Sequence, residues 1–251
     1  MKRDGMSFLE RAAAVLACFP GGAALTLDEV SARTGLPRST THRLLVELSG
    51  LGWTKRVDNR FELGMALFEL GERVALKHRL RSAALPFMQD LYAVTGQTVH
   101  LAVRDGTDAV YVEKIHGHSA LPLPSQTGGR LPLTCTAVGK ALLATESAEV
   151  QADILNRPLR SYTRHSITDP KLLARQLDDV RRNGVALERE ESALGGSCLA
   201  APVLAAGQPV AALSVSVPSA RFTPELLAPA VRTAVLALGR VLSGTSKHEQ
   251  G

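Results

Sequence analysis

Cysteine is scarce. Cys18, Cys135 and Cys198 are the only three, an odd number with no CxxC spacing. That excludes a disulfide framework and a cysteine-rich zinc module, and it fits a reducing, cytoplasmic setting. Aromatic residues make up 4% of the chain and charged residues 21%, against 45% apolar over 251 positions. Such a composition belongs to a globular protein of one large or two ordinary domains, and not to a disordered or collagenous one. A strong charge bias is missing too: 29 Lys and Arg oppose 24 Asp and Glu, a net charge of +5. This permits an anionic partner such as nucleic acid without requiring one.

Uninterrupted apolar runs are also lacking. The apolar stretch at 12–19 follows a basic start, as in a signal peptide, but Glu10 and Arg11 break it. Phe8, Ala12, Val15, Leu16 and Phe19 fall at helical spacing, which predicts a core-facing helix instead. The uncharged stretch 192–220 is long enough to span a bilayer, yet Pro202, Pro209, Pro218 and the turn at 206–208 divide it into two strands of a hairpin. No membrane partner is expected. The glycine pairs Gly128-Gly129 and Gly195-Gly196 are not phosphate loops, and His116-Gly117-His118 has no second ligand pair, so neither cofactor nor metal is called for. Nothing in the local sequence fixes His116, His118 or His165 as a base beside Cys198, so no catalytic residue is assigned and the protein is not expected to be an enzyme.

What the chain does contain begins with a compact module. Thr26 and Glu29 form a capping box that starts a helix over 27–34, and Gly35 ends it. Pro37 suits the first turn of a second helix over 37–48, closing at Ser49-Gly50. On a helical wheel Thr41, Leu44, Leu45 and Leu48 share one arc, with Ser39, His42, Arg43 and Val46 opposite. A hydroxyl, an imidazole, a guanidinium and one bare Val suit a major groove, where Arg reads guanine and an apolar group meets the thymine methyl. Beyond Trp53, the arms around Asp58-Asn59 predict a wing whose Lys55, Arg56 and Arg60 reach phosphates. Over 36–60 the bases Arg38, Arg43, Lys55, Arg56 and Arg60 oppose Glu47 and Asp58, a net of +3. Arg73, Lys77, Arg79 and Arg81 then follow without an acid among them on what reads as a connecting helix.

From about residue 80 the pattern changes. Val99, Leu101 and Val103 alternate, as do Val110 and Val112, which predicts a hairpin across 105–108. Helices are expected over 136–145, 149–156, 171–183 and 224–242, and strands over 185–190, 199–204 and 210–217. This order predicts an α+β domain built on an antiparallel sheet. Thr136 to Lys140 places small residues where a helix begins, so free backbone amides there suit a carboxylate. Ser214 and Ser216 share one face of their strand, with Cys198 a weak donor nearby. On the residues alone, an enzyme built on this second domain and a protein-interaction adaptor both stay open as alternatives to a DNA-binding regulator.

Five motifs, in order, carry a family resemblance: GLPRSTTHRLLVEL at 35–48, FELGMALFELG at 61–71, LPLTCTAVGKALLA at 131–144, NGVALEREESALGGSCLAAPV at 183–203 and VAALSVSVPSARF at 210–222. With them the chain resembles the IclR-type transcriptional regulators from about Phe8 to about Leu242. The resemblance implies a winged helix-turn-helix DNA-binding domain over 1–72, a linker helix over 73–84 that helps dimerise, and a GAF-like effector-binding domain over 85–251. It also implies dimers, often paired into tetramers, on a palindromic double-stranded DNA operator, with a small organic acid as effector. Reading heads of this kind place Arg38, Ser39, Thr40, Thr41, His42 and Arg43 on DNA, with Lys55, Arg56 and Arg60 from the wing. The effector pocket implied by the motifs involves Leu131, Ala137, Val138, Gly139, Glu188, Cys198, Ser214 and Ser216. The chain departs from the family pattern at Thr134, where His is usual, at Val217, where Gly is usual, and at Phe61, where Tyr is usual.

Overall fold

A computed structural model describes residues 6–118 and 123–245, with the side chains of 75–78, Lys77 among them, and of 245 outside that description. The chain divides into two compact units, Met1–His78 and Arg79–Gly251.

The first unit opens with α1 (Phe8–Ala17), started by a capping box of Ser7 and Glu10 that the sequence reading passed over. Its residues Ala12 and Val15, followed by Phe19, are buried, but Phe8 is half exposed. Helix α2 (Leu27–Thr34) begins at the Thr26–Glu29 box and ends where Gly35 turns left-handed at φ 66°, as expected. Helix α3 (Arg38–Gly50) differs at both ends from the expected 37–48. Pro37 is the cap rather than part of the first turn, and the stop falls at Leu51 and the left-handed Gly52. Strands β1 (Thr54–Val57) and β2 (Arg60–Leu63) pair antiparallel to make the wing, with Asp58 at φ 53° in its turn. Phe61 also bridges to Leu25, which ties the wing to the strand-like entry of α2. Leu44, Leu45 and Leu48 close the core with Val15, Leu25, Val30 and Phe61.

The wing is followed by a helix the sequence reading did not separate, α4 (Met65–Glu72), which has no buried residue. Gly64, at its start, must be glycine: a Cβ there would lie 1.9 Å from the Gly52 carbonyl oxygen. The helix expected over 73–84 is longer, α5 (Ala75–Thr95), and its Leu80, Ala84, Met88 and Leu91 belong to the core of the second unit.

Among the described residues that unit is built on six strands: β3 (Thr98–Asp105), β4 (Asp108–Ile115), β5 (Arg130–Pro132), β6 (Ala186–Arg189), β7 (Gly196–Ala205) and β8 (Gln208–Pro218), in the spatial order β5-β4-β3-β8-β7-β6. Every neighbouring pair is antiparallel. The helices are α6 (Ala137–Ala144), α7 (Ala148–Leu155), α8 (Pro170–Asn183) and α9 (Pro224–Thr245). One sheet face carries Val99, Leu101, Leu199, Leu213 and Val215 against α5 and α9. The other carries Ala102, Tyr111, Ala200 and Ala212 against α6 and α8. Helix α9 is long and apolar enough to cross a membrane by composition. Its Val231, Val235 and Leu238 are spent instead on the sheet core. Burial on both faces explains why β7 and β8 read as apolar runs without full alternation.

Candidate functional site

The first candidate surface is the outer face of α3. Arg38, Ser39, His42, Arg43 and Val46 are exposed and Thr40 is half-buried. Thr41 corrects the reading: it is fully buried, and its hydroxyl donates to the Pro37 carbonyl at 3.1 Å, so it packs the helix and faces no groove. Arg38 pairs with Asp28 at 3.0 Å, Arg43 with Glu47 at 3.9 Å and Lys55 with Glu62 at 3.5 Å, all on the surface. Such exposed pairs contribute about 0–1 kcal/mol each, so these cations exchange a carboxylate for a phosphate or a base edge at little cost. The two wing arginines are more committed. Arg56 donates to the Asp58 carbonyl at 2.9 Å, and Arg60 donates to the Ala24 carbonyl at 3.0 Å while pairing with Glu29. Arg60 therefore fastens the wing to the α2 capping box.

The second candidate is a cavity on the α6 face of the sheet, and strand register builds it. Glu188, Cys198 and Ser216 stand opposite one another across β6, β7 and β8, and Ser214 stands opposite His100 of β3. Since alternate residues of a strand share a face, these polar groups converge. The cavity is lined by them with Tyr111, Ser125, Leu131, Thr136, Ala137 and Ser192 among others, and its free volume is about 20 Å³, room for one water. Of the expected pocket residues, Leu131, Ala137, Glu188, Cys198, Ser214 and Ser216 come together here, whereas Val138 and Gly139 are buried in α6 and line no part of it. The Gly139 amide donates to the Thr136 hydroxyl at 3.1 Å, so it is not free for an anion. Its lack of a side chain serves packing instead: a Cβ would lie 2.4 Å from the Leu133 Cα. That leaves the Ala137 and Val138 amides as first-turn donors with no acceptor inside the helix.

His100 is the residue the sequence reading missed. Its Nε2 lies 2.8 Å from the Ser125 hydroxyl, and its Nδ1 lies 3.3 and 3.4 Å from the Ser214 and Ser216 hydroxyls. Complete burial, with the Lys114 ammonium next in importance, pushes its pKa down to about 3, so the ring is neutral. Cys198 Sγ lies 2.9 Å from the Ser216 hydroxyl, and burial raises the thiol well above its ordinary range. A neutral thiol is a weak donor and a poor nucleophile. Burial likewise raises Glu188 to about 7, although it accepts hydrogen bonds from the Glu191 and Ser192 amides. Lys140, with essentially no exposure, pairs with Glu191 and donates to Gln176 Oε1 at 2.7 Å. Burial raises the Glu191 carboxyl despite that partner. Among the described residues no three His, Cys, Asp or Glu side chains are placed to hold a metal ion.

Comparison with known proteins identifies both domains. Residues 8–58 match the IclR helix-turn-helix domain, and residues 72–243 match the bacterial transcriptional regulator IclR C-terminal domain. The HTH-type transcriptional repressor AllR of Klebsiella pneumoniae is 33% identical over 235 residues, 89% of this chain and 84% of that protein. Its counterpart in Escherichia coli K12 is 32% identical over the same shares. Among solved structures, an IclR homolog from Microbacterium hydrocarbonoxydans complexed with 4-hydroxybenzoate superposes with a TM-score of 0.83 at 30% identity, covering 95% of this chain and 100% of that one. The Thermotoga maritima IclR gives 0.75 at 28% identity, covering 94% and 98%. With a helix-turn-helix, a wing and a polar cavity on an antiparallel sheet, the chain belongs to the IclR family of DNA-binding transcriptional regulators.

Proposed function

We propose that this is a one-component cytoplasmic regulator that binds a palindromic operator as a homodimer or a pair of dimers, and that a small carboxylic acid in the sheet cavity alters its operator affinity. The observation that carries the effector reading is the convergence of Ser214, Ser216, Cys198, Glu188 and His100 from four strands onto the start of α6. Ala137 brings its amide there, at the positive end of the helix dipole. His100 is neutral, so the carboxylate is held by hydroxyls and amides rather than by an ion pair. The 4-hydroxybenzoate bound by the Microbacterium homolog is an acid of this kind. The cavity holds about one water, so an acid binds only as its walls move. That is what lets a ligand prefer one of two states and shift their balance. Dimerisation is supported by the exposed apolar residues Met65, Phe68 and Leu70 of α4.

Two experiments test this reading. Arg43→Ala is expected to weaken binding to duplexes selected from genomic DNA by about 10- to 100-fold and to narrow the gap between cognate and scrambled sequence, as loss of one bidentate base contact does. Fluorescence anisotropy at fixed salt measures it, and equal affinities for both duplexes in wild type and variant would remove α3 as the reading helix. Ser214→Val combined with Ser216→Val takes two hydroxyls from the cavity. It is expected to abolish the change in operator affinity caused by an acid that acts on the wild type; an unaltered titration would take the serines out of the site.

A further inference from the structure

A second concave site lies beside the sheet cavity, on the other side of the segment 130–137. Leu131, Thr136 and Ala137 of that segment line the cavity, while Arg130, Pro132 and Thr134 line a separate groove of about 440 Å³. The groove is completed by Thr107 and Asp108 from the β3–β4 turn and by Ile154, Arg157, Pro158, Leu159, Arg160 and Tyr162 at and beyond the end of α7. Three arginines and one aspartate therefore line this groove together with apolar residues such as Ile154, Pro132 and Leu159.

The arginines are weakly committed. Arg130 pairs with Asp105 and Arg157 with Asp153, but all four side chains are more than half exposed. Among the described residues Arg160 has no carboxylate partner. Exposed pairs of this kind are cheap to exchange, whereas a guanidinium that meets a carboxylate or phosphate in a two-pronged, partly enclosed contact makes a stronger bond. Nothing in the fold requires three arginines here, since the sheet edge at β5 is already held by its pairing to β4.

We propose that this groove is a ligand site for a small multivalent anion, a phosphate ester or a di- or tricarboxylate with a compact apolar body. Its concavity and its apolar residues Ile154, Pro132 and Leu159 fit a small molecule rather than a nucleic acid backbone. Because one segment walls both sites, displacement of 130–137 by either ligand reaches the other, and any such coupling is reciprocal.

Calorimetric titration of the full-length protein with sodium pyrophosphate and, separately, with citrate tests the proposal. Saturable binding of one anion per chain is expected with at least one of the two, and their ranking separates phosphate from carboxylate recognition. Arg157→Gln with Arg160→Gln should weaken it at least tenfold, as should Arg130→Gln on the opposite wall. Arg38→Gln with Arg43→Gln, on the DNA-reading face, should leave it within twofold of wild type. Superimposable isotherms for wild type and the groove variants, loss of binding in the α3 variant, or no saturable binding of either anion would each overturn the assignment.

Discussion

Replacing Lys140 by methionine is expected to cost the C-terminal unit about 3–5 kcal/mol, the usual penalty for removing one partner of a buried ion pair. The ammonium sits at 0% exposure and has three acceptors: Glu191, Gln176 Oε1 at 2.7 Å and the Leu187 carbonyl at 3.4 Å. Methionine keeps the apolar stem but leaves Glu191 with no cation, and among the described residues the second Glu191 oxygen is already buried without a hydrogen-bond partner. The carboxyl must then be protonated or dragged toward water. That loosens the corner at 188–192, where Glu188 accepts from the Glu191 and Ser192 amides and Ser192 lines the cavity. Urea unfolding at pH 7.5 measures the loss. Adding Glu191→Gln to Lys140→Met should recover part of it, because a neutral amide replaces the stranded charge. A single variant within 1 kcal/mol of wild type would mean that the pair is hydrated and the corner is held by backbone alone.

The parts of this fold written in the sequence are the local ones. Thr26 with Glu29, and Gly35, mark helix ends that the structure reproduces, because caps and left-handed glycines act within a turn of where they stand. The hairpin across 105–108 was readable for the same reason. Helix α4 was not: none of its residues is buried, so its apolar residues follow no core-facing stripe. Thr41 lay on the packing arc of the wheel, and the wheel was the better guide than the motif that counted it among DNA contacts. His100 was hidden by topology. It alternates with Val99 and Leu101, which marks it as facing the other way, but only the pairing of β3 with β8, over a hundred residues apart in sequence, brings it to Ser214 and Ser216. Lys140 and Glu191 are 51 positions apart, and no periodicity joins them.

Glu188→Gln should turn the nearly level response of stability to pH between 4.5 and 6.5 into a rise. The folded-state pKa of Glu188 is raised from 4.5 to about 7, chiefly by burial. The unfolded chain therefore releases this proton near 4.5 while the folded chain keeps it, so stability falls as pH rises from 4.5 through 7 and is level above. His100 acts in the opposite sense over a lower window. Burial lowers its pKa from 6.5 to about 3, so the unfolded chain takes up a proton below 6.5 that the folded chain refuses, and stability falls as pH drops from 6.5 toward 3. Between 4.5 and 6.5 the two effects oppose each other, and together they give the wild type little slope there. Glutamine keeps an acceptor for the Glu191 and Ser192 amides and removes one of the opposing effects. Stability of the variant should then rise steadily to pH 6.5 and hold, gaining about 3 kcal/mol on the wild type between pH 4 and pH 8 at 1.36 kcal/mol per pKa unit. Urea midpoints across that range measure it. Parallel curves for the two proteins would show that Glu188 is ionised in the folded state at neutral pH, and a carboxylate effector would then meet a negative charge in the cavity in place of a hydrogen-bond donor.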